Sequence, residues 1–313
     1  MTVTVRCNKI VYSARPAKSL FINGPAMRFV TAFAAAAACS LSSFAFAAQT
    51  IKVAGSSTLK EAVTVWAESY AQAHPDVAIH VSGDGSGTGF RALSMGQAEL
   101  VSSSRPAFGY ELESLKEQNV ELEQHVVGRD ALSVFVHPGN PLKSASVAQL
   151  REIFGEGGTI KKWSELGVNV PGCASGRIEL VGRPQGSGTY GDFSAILKAE
   201  HGMKLTQVQA SSKEVIQAIG ADACAIGYGA FLRSDKVRTL CLADDTGKPC
   251  ATPEDGLAKG APYPLMRELF LYSPAGAPAP VKQFLAWTAT PEAACLMQKR
   301  TTLLPAKAPD SCR

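Results

Sequence analysis

Three short segments constrain the fold of this 313-residue chain more than any other feature: Gly55-Ser56-Ser57-Thr58, Gly85-Ser86-Gly87-Thr88-Gly89 and Arg183-Pro184-Gln185-Gly186-Ser187-Gly188-Thr189. Each follows an apolar, strand-like run and leads into a helix-like one. A glycine–hydroxyl turn in that place leaves backbone N–H groups free at a helix start, where the dipole is positive and no intrahelical acceptor exists. Such a turn can hold a tetrahedral oxyanion without metal or lysine. One such turn alone is most often a helix cap or a tight turn. Three in one chain, one with an arginine just upstream, predict an anion clasped from several sides.

The N-terminal segment reads differently from the rest. Met27-Arg28 precedes the apolar stretch Phe29 to Cys39 and then Ala45-Phe46-Ala47, the order of a basic region, an apolar core and a small-x-small cleavage site. Residues 1–47 are therefore expected to be a leader with a signal peptide cut after Ala47, preceded by 26 residues ahead of the internal start Met27. The leader carries Arg6, Lys9, Arg15, Lys18 and Arg28 and no acid, so its removal leaves 26 bases against 27 acids. That balance argues against a nucleic-acid surface. No later apolar run is long enough to span a membrane, so an exported, periplasmic protein is expected.

Six cysteines follow the leader: Cys173, Cys224, Cys241, Cys250, Cys295 and Cys312. An even number in an exported chain favours disulfides. Cys241 and Cys250 flank a turn-rich segment and are expected to close a hairpin, and Cys312 to pin the tail to Cys295, which leaves Cys173 with Cys224. Six cysteines allow about fifteen connectivities, so this pairing is a hypothesis. The rival, a zinc site, lacks any Cys-x-x-Cys pair.

Strand-like and helix-like segments alternate from Ile51 onward, which favours an α/β fold with a largely parallel sheet. Leu59 to His74 has helical spacing in Leu59, Ala62, Val63, Trp66 and Tyr70; Val77 to Val81 reads as a strand, Phe90 to Met95 as a short helix, and Val147 to Phe154 and Tyr190 to Glu200 as two more helices. Two strong strands, near 131–137 and 268–272, bracket a middle block. A chain that leaves one lobe and later returns would be built this way, with two hinge crossings. The expected division is 48–132 plus 265–313 as the first lobe and 133–264 as the second, with a ligand between them.

Catalytic patterns fit poorly. The flanks of Ser86 (Asp84, Thr88) and Ser187 (Gln185, Thr189) break the Gly-x-Ser-x-Gly elbow. No Walker lysine follows a glycine loop, and His74, His137 and His201 form no metal pair. No catalytic residue, metal or cofactor is expected. A secreted phosphoester hydrolase using the same cradle is the alternative from another class.

The order Gly-Ser-Ser-Thr, then Gly-Ser-Gly-x-Gly, then Arg-x-x-Gly-Ser-Gly-Thr, with Ala225-Ile226-Gly227-Tyr228 as a late strand, resembles the periplasmic phosphate-binding proteins of ABC transporters, the PstS-like family with its type II periplasmic binding protein fold. The resemblance implies a monomer that takes inorganic phosphate and serves an ABC permease. It implies ligand contacts from Ser56, Ser57, Thr58 and Leu59 in the first loop, Ser86 in the second and Ser104 after the third strand. Arg183 would make a bidentate, charge-assisted contact, and Ser187, Gly188 and Thr189 would donate from a helix start. The family often has an aspartate before the proline where this chain reads Ser102-Ser103-Ser104-Arg105-Pro106. That aspartate accepts the proton that phosphate carries and sulfate lacks. Asp84 and Asp192, which lie beside the proposed loops, are the expected substitute acceptors, and Ser104 offers a hydroxyl of either sense. Arg91 and Arg105 are open between a surface and a lobe-bracing role. Another tetrahedral oxyanion, or an orphan phosphate sensor or scavenger, is the alternative within the class.

Overall fold

The computed structural model describes residues 49–245, 247–309 and 311–312. The expected leader lies outside these residues. The run at Ile51 forms the strand Gln49–Gly55, with Ile51 and Val53 turned into the core and Lys52 into solvent. The following helix, Lys60–Ala73, buries Ala62, Val63, Trp66, Ala67 and Tyr70, the spacing of one helical face. Trp66 is fully buried, and its indole N–H donates to the Ala293 carbonyl at 2.8 Å, which ties this helix to the C-terminal helix Pro291–Arg300. Burying a large apolar side chain contributes roughly 1.5–3 kcal/mol.

One sheet runs through the molecule. Its order is Val77–Val81, Gln49–Gly55, Leu100–Ser103, Met266–Pro274, Leu122–Val136, Ala225–Ala230, Glu179–Gly182 and Gln207–Val208. The flanks are parallel, as the alternation predicts. The centre is antiparallel, because Leu122–Val136 carries the chain from one half to the other and Met266–Pro274 carries it back. The long strand changes partner along its length: Leu122 to Ala131 pair with the returning strand, and Leu132 to Val136 pair with Ala225–Ala230. It is 15 residues long, about twice the expected run, since its first half mixes exposed and buried positions and lacks a continuous apolar signal.

The cores segregate along this boundary. Ile51, Trp66, Leu100, Leu269, Phe284 and Met297 belong to one cluster, and Phe90, Val101 and Tyr272 to a second on the opposite face of the same half. Leu132, Phe154, Trp163, Phe193, Tyr228 and Leu265 form the core of the other half, with Phe135, Val181 and Ile219 behind its sheet. Each half thus covers both faces of its part of the sheet, as parallel strands require. The structure joins Cys173 to Cys224, Cys241 to Cys250 and Cys295 to Cys312, with Cα–Cα distances of 4.9, 5.4 and 5.3 Å. Among the described residues no helix is long and apolar enough to cross a membrane.

Two helix starts lie earlier than periodicity suggests. The helix expected from Phe90 begins at Ser86, and the one expected from Tyr190 begins at Gly188. The glycine–hydroxyl turns are themselves the first helical turns, a place where glycine's low helix propensity hides the element from a pattern search. Gly85 precedes the first of them with a φ of 123°, a conformation that a side chain would strain.

Candidate functional site

The loops singled out from the sequence meet where the halves face each other. The first follows the strand Gln49–Gly55. Ser56 is buried, and its hydroxyl oxygen accepts from the N–H groups of Thr58 at 3.2 Å and Leu59 at 3.4 Å. It therefore holds the turn that leads into the helix, and the Leu59 side chain lies wholly in the core. Ser57 and Thr58 are half-buried, and arginines reach the hydroxyls of both.

The second loop opens the helix Ser86–Ser94. Ser86 is fully buried; its oxygen accepts from the Ser104 N–H at 3.1 Å and lies 3.5 Å from the Ser104 hydroxyl. The Gly87 N–H crosses to the Gly186 carbonyl at 3.0 Å, so this loop touches the Arg183 loop directly. Ser187 caps the helix Gly188–Ile196 by accepting from the Thr189 N–H at 3.2 Å. Gly188 abuts the facing serines: a Cβ there would lie 2.3 Å from the Ser86 oxygen and 2.4 Å from the Ser104 oxygen. Only glycine permits that approach.

Arg183 is 1% exposed. Its Nε donates to the Gln209 carbonyl at 3.0 Å and Nη2 to the Ala210 carbonyl at 2.6 Å, while Nη1 reaches the Ser212 hydroxyl at 3.4 Å. These contacts fix the fork, and Nη2 also donates to the Ser57 hydroxyl at 3.0 Å. Burial, aided by the nearby Arg267, pulls the Arg183 pKa down to about 10, so the group is a cation at neutral pH. A cavity of about 200 Å³ reaches Ser57, Thr58 and Ser212 from outside.

Of the expected residues, Ser57, Thr58, Ser86, Ser104, Arg183, Ser187, Gly188 and Thr189 are thus brought together, with Ser56 and Leu59 beneath them. Asp84 is not: it is exposed at the rim. Arg91 is exposed as well. Arg105 is buried and braces the structure: it holds Glu111 with two bonds of 2.7 Å and lies over the Phe108 ring at 3.7 Å. It also packs against Gly191 of the opposite half.

Sequence reasoning missed a third buried arginine. Arg267 pairs across the two central strands with Asp130, Nε to Oδ1 at 2.6 Å and Nη2 to Oδ2 at 2.9 Å. Its Nη1 and Nη2 lie 3.3 Å from the hydroxyls of Thr189 and Thr58. Burial opposes the charge of Arg267, but Asp130 outweighs it and the pKa is raised. Asp192 lies 3.7 Å from Arg267 Nη1, and its buried Oδ2 has no hydrogen-bond partner among the described residues. Burial and the charge of Asp130 push the Asp192 pKa up to about 6, against the opposing pull of Arg267. A signal for Arg267 is present in the sequence: it falls in phase with Leu269 and Leu271, both fully buried, so its side chain has to face inward.

The chain is similar to known proteins in both sequence and fold. Residues 42–292 match the model of the PBP superfamily domain. The phosphate-binding protein PstS of Pseudomonas aeruginosa is 33% identical over 228 residues, 70% of this chain and 70% of that protein. The phosphate-binding protein PstS of Bacillus subtilis is 33% identical over 243 residues, 76% of this chain and 75% of that one. In fold, the chain is similar to a putative phosphate ABC transporter substrate-binding protein with bound phosphate from Clostridium perfringens, with a TM-score of 0.67, 24% identity and coverage of 83% of this chain and 100% of that one. An ABC-type phosphate transport receptor from Vibrio cholerae gives a TM-score of 0.66 at 22% identity, covering 82% and 100%.

Proposed function

The chain belongs to the PBP superfamily and, within it, to the PstS-like phosphate-binding proteins, and on that premise we propose that it captures inorganic phosphate between its two halves and delivers it to the permease of an ABC transporter. One observation carries the reading: the buried Arg183 fork of one half donates to Ser57 of the other, between two glycine-rich helix starts that face each other. A buried cation with no carboxylate in ion-pair contact among the described residues, ringed by hydroxyls and helix N-termini, is complementary to a small polyanion.

The division is residues 48–132 with 265–313 as one lobe and 133–264 as the other, hinged where the chain crosses; the segregated cores follow it except at the crossings, where Ala131, Leu132 and Leu265 pack in the second core. The contact set is Ser57, Thr58, Ser86, Ser104, Arg183, Gly188 and Thr189, with Ser56 holding the turn of the first loop and Ser187 capping the helix of the second half. The protein acts in the periplasm as a monomeric binding protein, after removal of a signal peptide ending at Ala47, and needs no cofactor.

Isothermal titration of the phosphate-stripped protein with phosphate, and in parallel with sulfate, tests the reading. Tight one-to-one phosphate binding with sulfate silent is expected. Binding of both would make it a general oxyanion receptor, and silence with both would remove phosphate as the ligand.

A further inference from the structure

We propose that Arg267 is a positioning residue of the anion site, which fixes the hydroxyls of Thr58 and Thr189 as donors toward one acceptor held between the halves. The inference rests on the phosphate reading above.

An arginine has five N–H donors and no acceptor. At both 3.3 Å contacts the threonine oxygen must therefore accept. No other hydrogen bond engages either hydroxyl among the described residues, so each keeps its own proton for an acceptor outside the protein. A free hydroxyl rotates and serves as donor or acceptor; one that already accepts from a guanidinium presents chiefly its proton. Thr58 stands at the first loop and Thr189 at the start of the helix Gly188–Ile196, so a single guanidinium sets the sense of donors on both sides of the cleft.

The guanidinium is itself held firmly. Its side chain is 4% exposed, and Asp130, its cross-strand partner, takes the Nε and Nη2 edge. Were Arg267 only a counter-ion for Asp130, that edge would suffice. The remaining nitrogen, Nη1, points instead to Thr189 and Asp192, both on the opposing helix. Arg183 performs the same operation on Ser57, so three hydroxyls from two halves are turned by two buried arginines into donors. This suits a ligand whose oxygens are nearly all acceptors.

The test is a double-mutant cycle read by titration with inorganic phosphate on the phosphate-stripped full chain, with thermal melts alongside. Thr58→Val and Thr189→Val should each weaken phosphate binding roughly tenfold, the scale of one hydrogen bond to a charged group. The paired change Arg267→Met with Asp130→Asn, which removes both charges of that ion pair together, should weaken it about a hundredfold. In that background Thr189→Val should cost less than about twofold more, because its hydroxyl is no longer oriented. Arg267→Lys should not rescue, since the three donors of one ammonium cannot cover both Asp130 oxygens and the two threonine hydroxyls at once.

Strict additivity, or phosphate binding by the paired variant within about twofold of the unmodified protein, would overturn the proposal. If the paired variant does not fold, the Thr58→Val and Thr189→Val cycle decides alone: hydroxyls oriented by one guanidinium lose affinity non-additively, and independent ones additively. Failure of the unmodified protein to bind phosphate would instead remove the reading on which the proposal rests.

Discussion

The Nη2 of Arg183 donates to the hydroxyl of Ser57 at 3.0 Å, joining residues 126 positions apart and on opposite sides of the cleft. The other nitrogens of the fork are committed to the Gln209 carbonyl and the Ser212 hydroxyl, and Nη2 itself also meets the Ala210 carbonyl. The cation is thus placed by its own half and read by the other. Arg183→Met should raise the phosphate Kd by roughly 30- to 5,000-fold, the range for removing one partner of a buried charged contact. Arg183→Lys should recover only part, because an ammonium cannot reproduce the fork. Titration calorimetry of both variants checks this, and a near-normal affinity of the Met variant would mean that Arg183 is structural.

Gly188 gives a steric test that leaves every charge in place. A methyl group there meets the Ser86 and Ser104 oxygens at 2.3 and 2.4 Å, and both belong to the opposite half. Gly188→Ala should therefore hold the halves apart and weaken phosphate binding by more than about tenfold. The apolar cores are untouched, so the melting temperature should fall by only a few degrees, as for a shift of about 1 kcal/mol. Normal phosphate binding by this variant would show that the cleft does not close at that point.

The chain's periodicity makes the outer strands and most helices legible, since a buried face leaves a mark at every second or every third to fourth residue. Val77–Val81 and Val147–Phe154 match their expected spans residue for residue. The centre is harder. The first half of Leu122–Val136 is not a uniform apolar run: Glu123, Gln124 and Val126 are exposed there, which conceals that part of the strand from a pattern search. The helix Gly109–Glu117 is nearly as opaque, because only Glu111 and Leu115 are buried on it. In the site, the glycine–hydroxyl loops announce themselves locally, whereas the Arg267–Asp130 pair exists only through strand register between positions 137 apart. Asp192 is visible in the sequence as an acceptor, but its isolation is a property of burial that no local pattern records.

Ser104 offers the hydroxyl of the site that is free to take either sense, since the Ser86 oxygen already accepts from the Ser104 N–H at 3.1 Å. The two hydroxyl oxygens lie 3.5 Å apart and either one can be the donor. With Ser57, Thr58 and Thr189 all accepting from arginine, Ser104 is the expected acceptor for the proton that phosphate carries and sulfate lacks. Ser104→Ala should narrow the preference for phosphate over sulfate by about tenfold, the worth of one hydrogen bond at a buried site. Parallel titrations with the two anions measure it, and an unchanged ratio would move the discrimination elsewhere in the cleft.

Asp192 makes folding stability depend on pH in a direction opposite to that of an ordinary ion-paired carboxylate. Its side chain is 15% exposed, and burial raises its pKa from 3.8 to about 6 in the folded protein. Between those values the native state holds a proton that the unfolded chain has released. Stability from this residue therefore falls as pH rises through the window, and the deficit is complete above about pH 6. The groups facing it are Arg267 from the returning strand, Asp130 from the long strand and Arg105 from the loop after Leu100–Ser103; only Asp130 adds to the rise. The deficit is at most roughly 3 kcal/mol, from about 1.4 kcal/mol per pKa unit. Asp192→Asn, which cannot ionise, should be close to the unmodified protein in stability at about pH 4 and more stable by roughly one to three kcal/mol at about pH 7. Urea denaturation of both proteins across that range isolates the difference from all other titrating groups. A stability gap that does not widen as pH rises would mean that Asp192 stays ionised, held by Arg267 more tightly than its 3.7 Å separation implies.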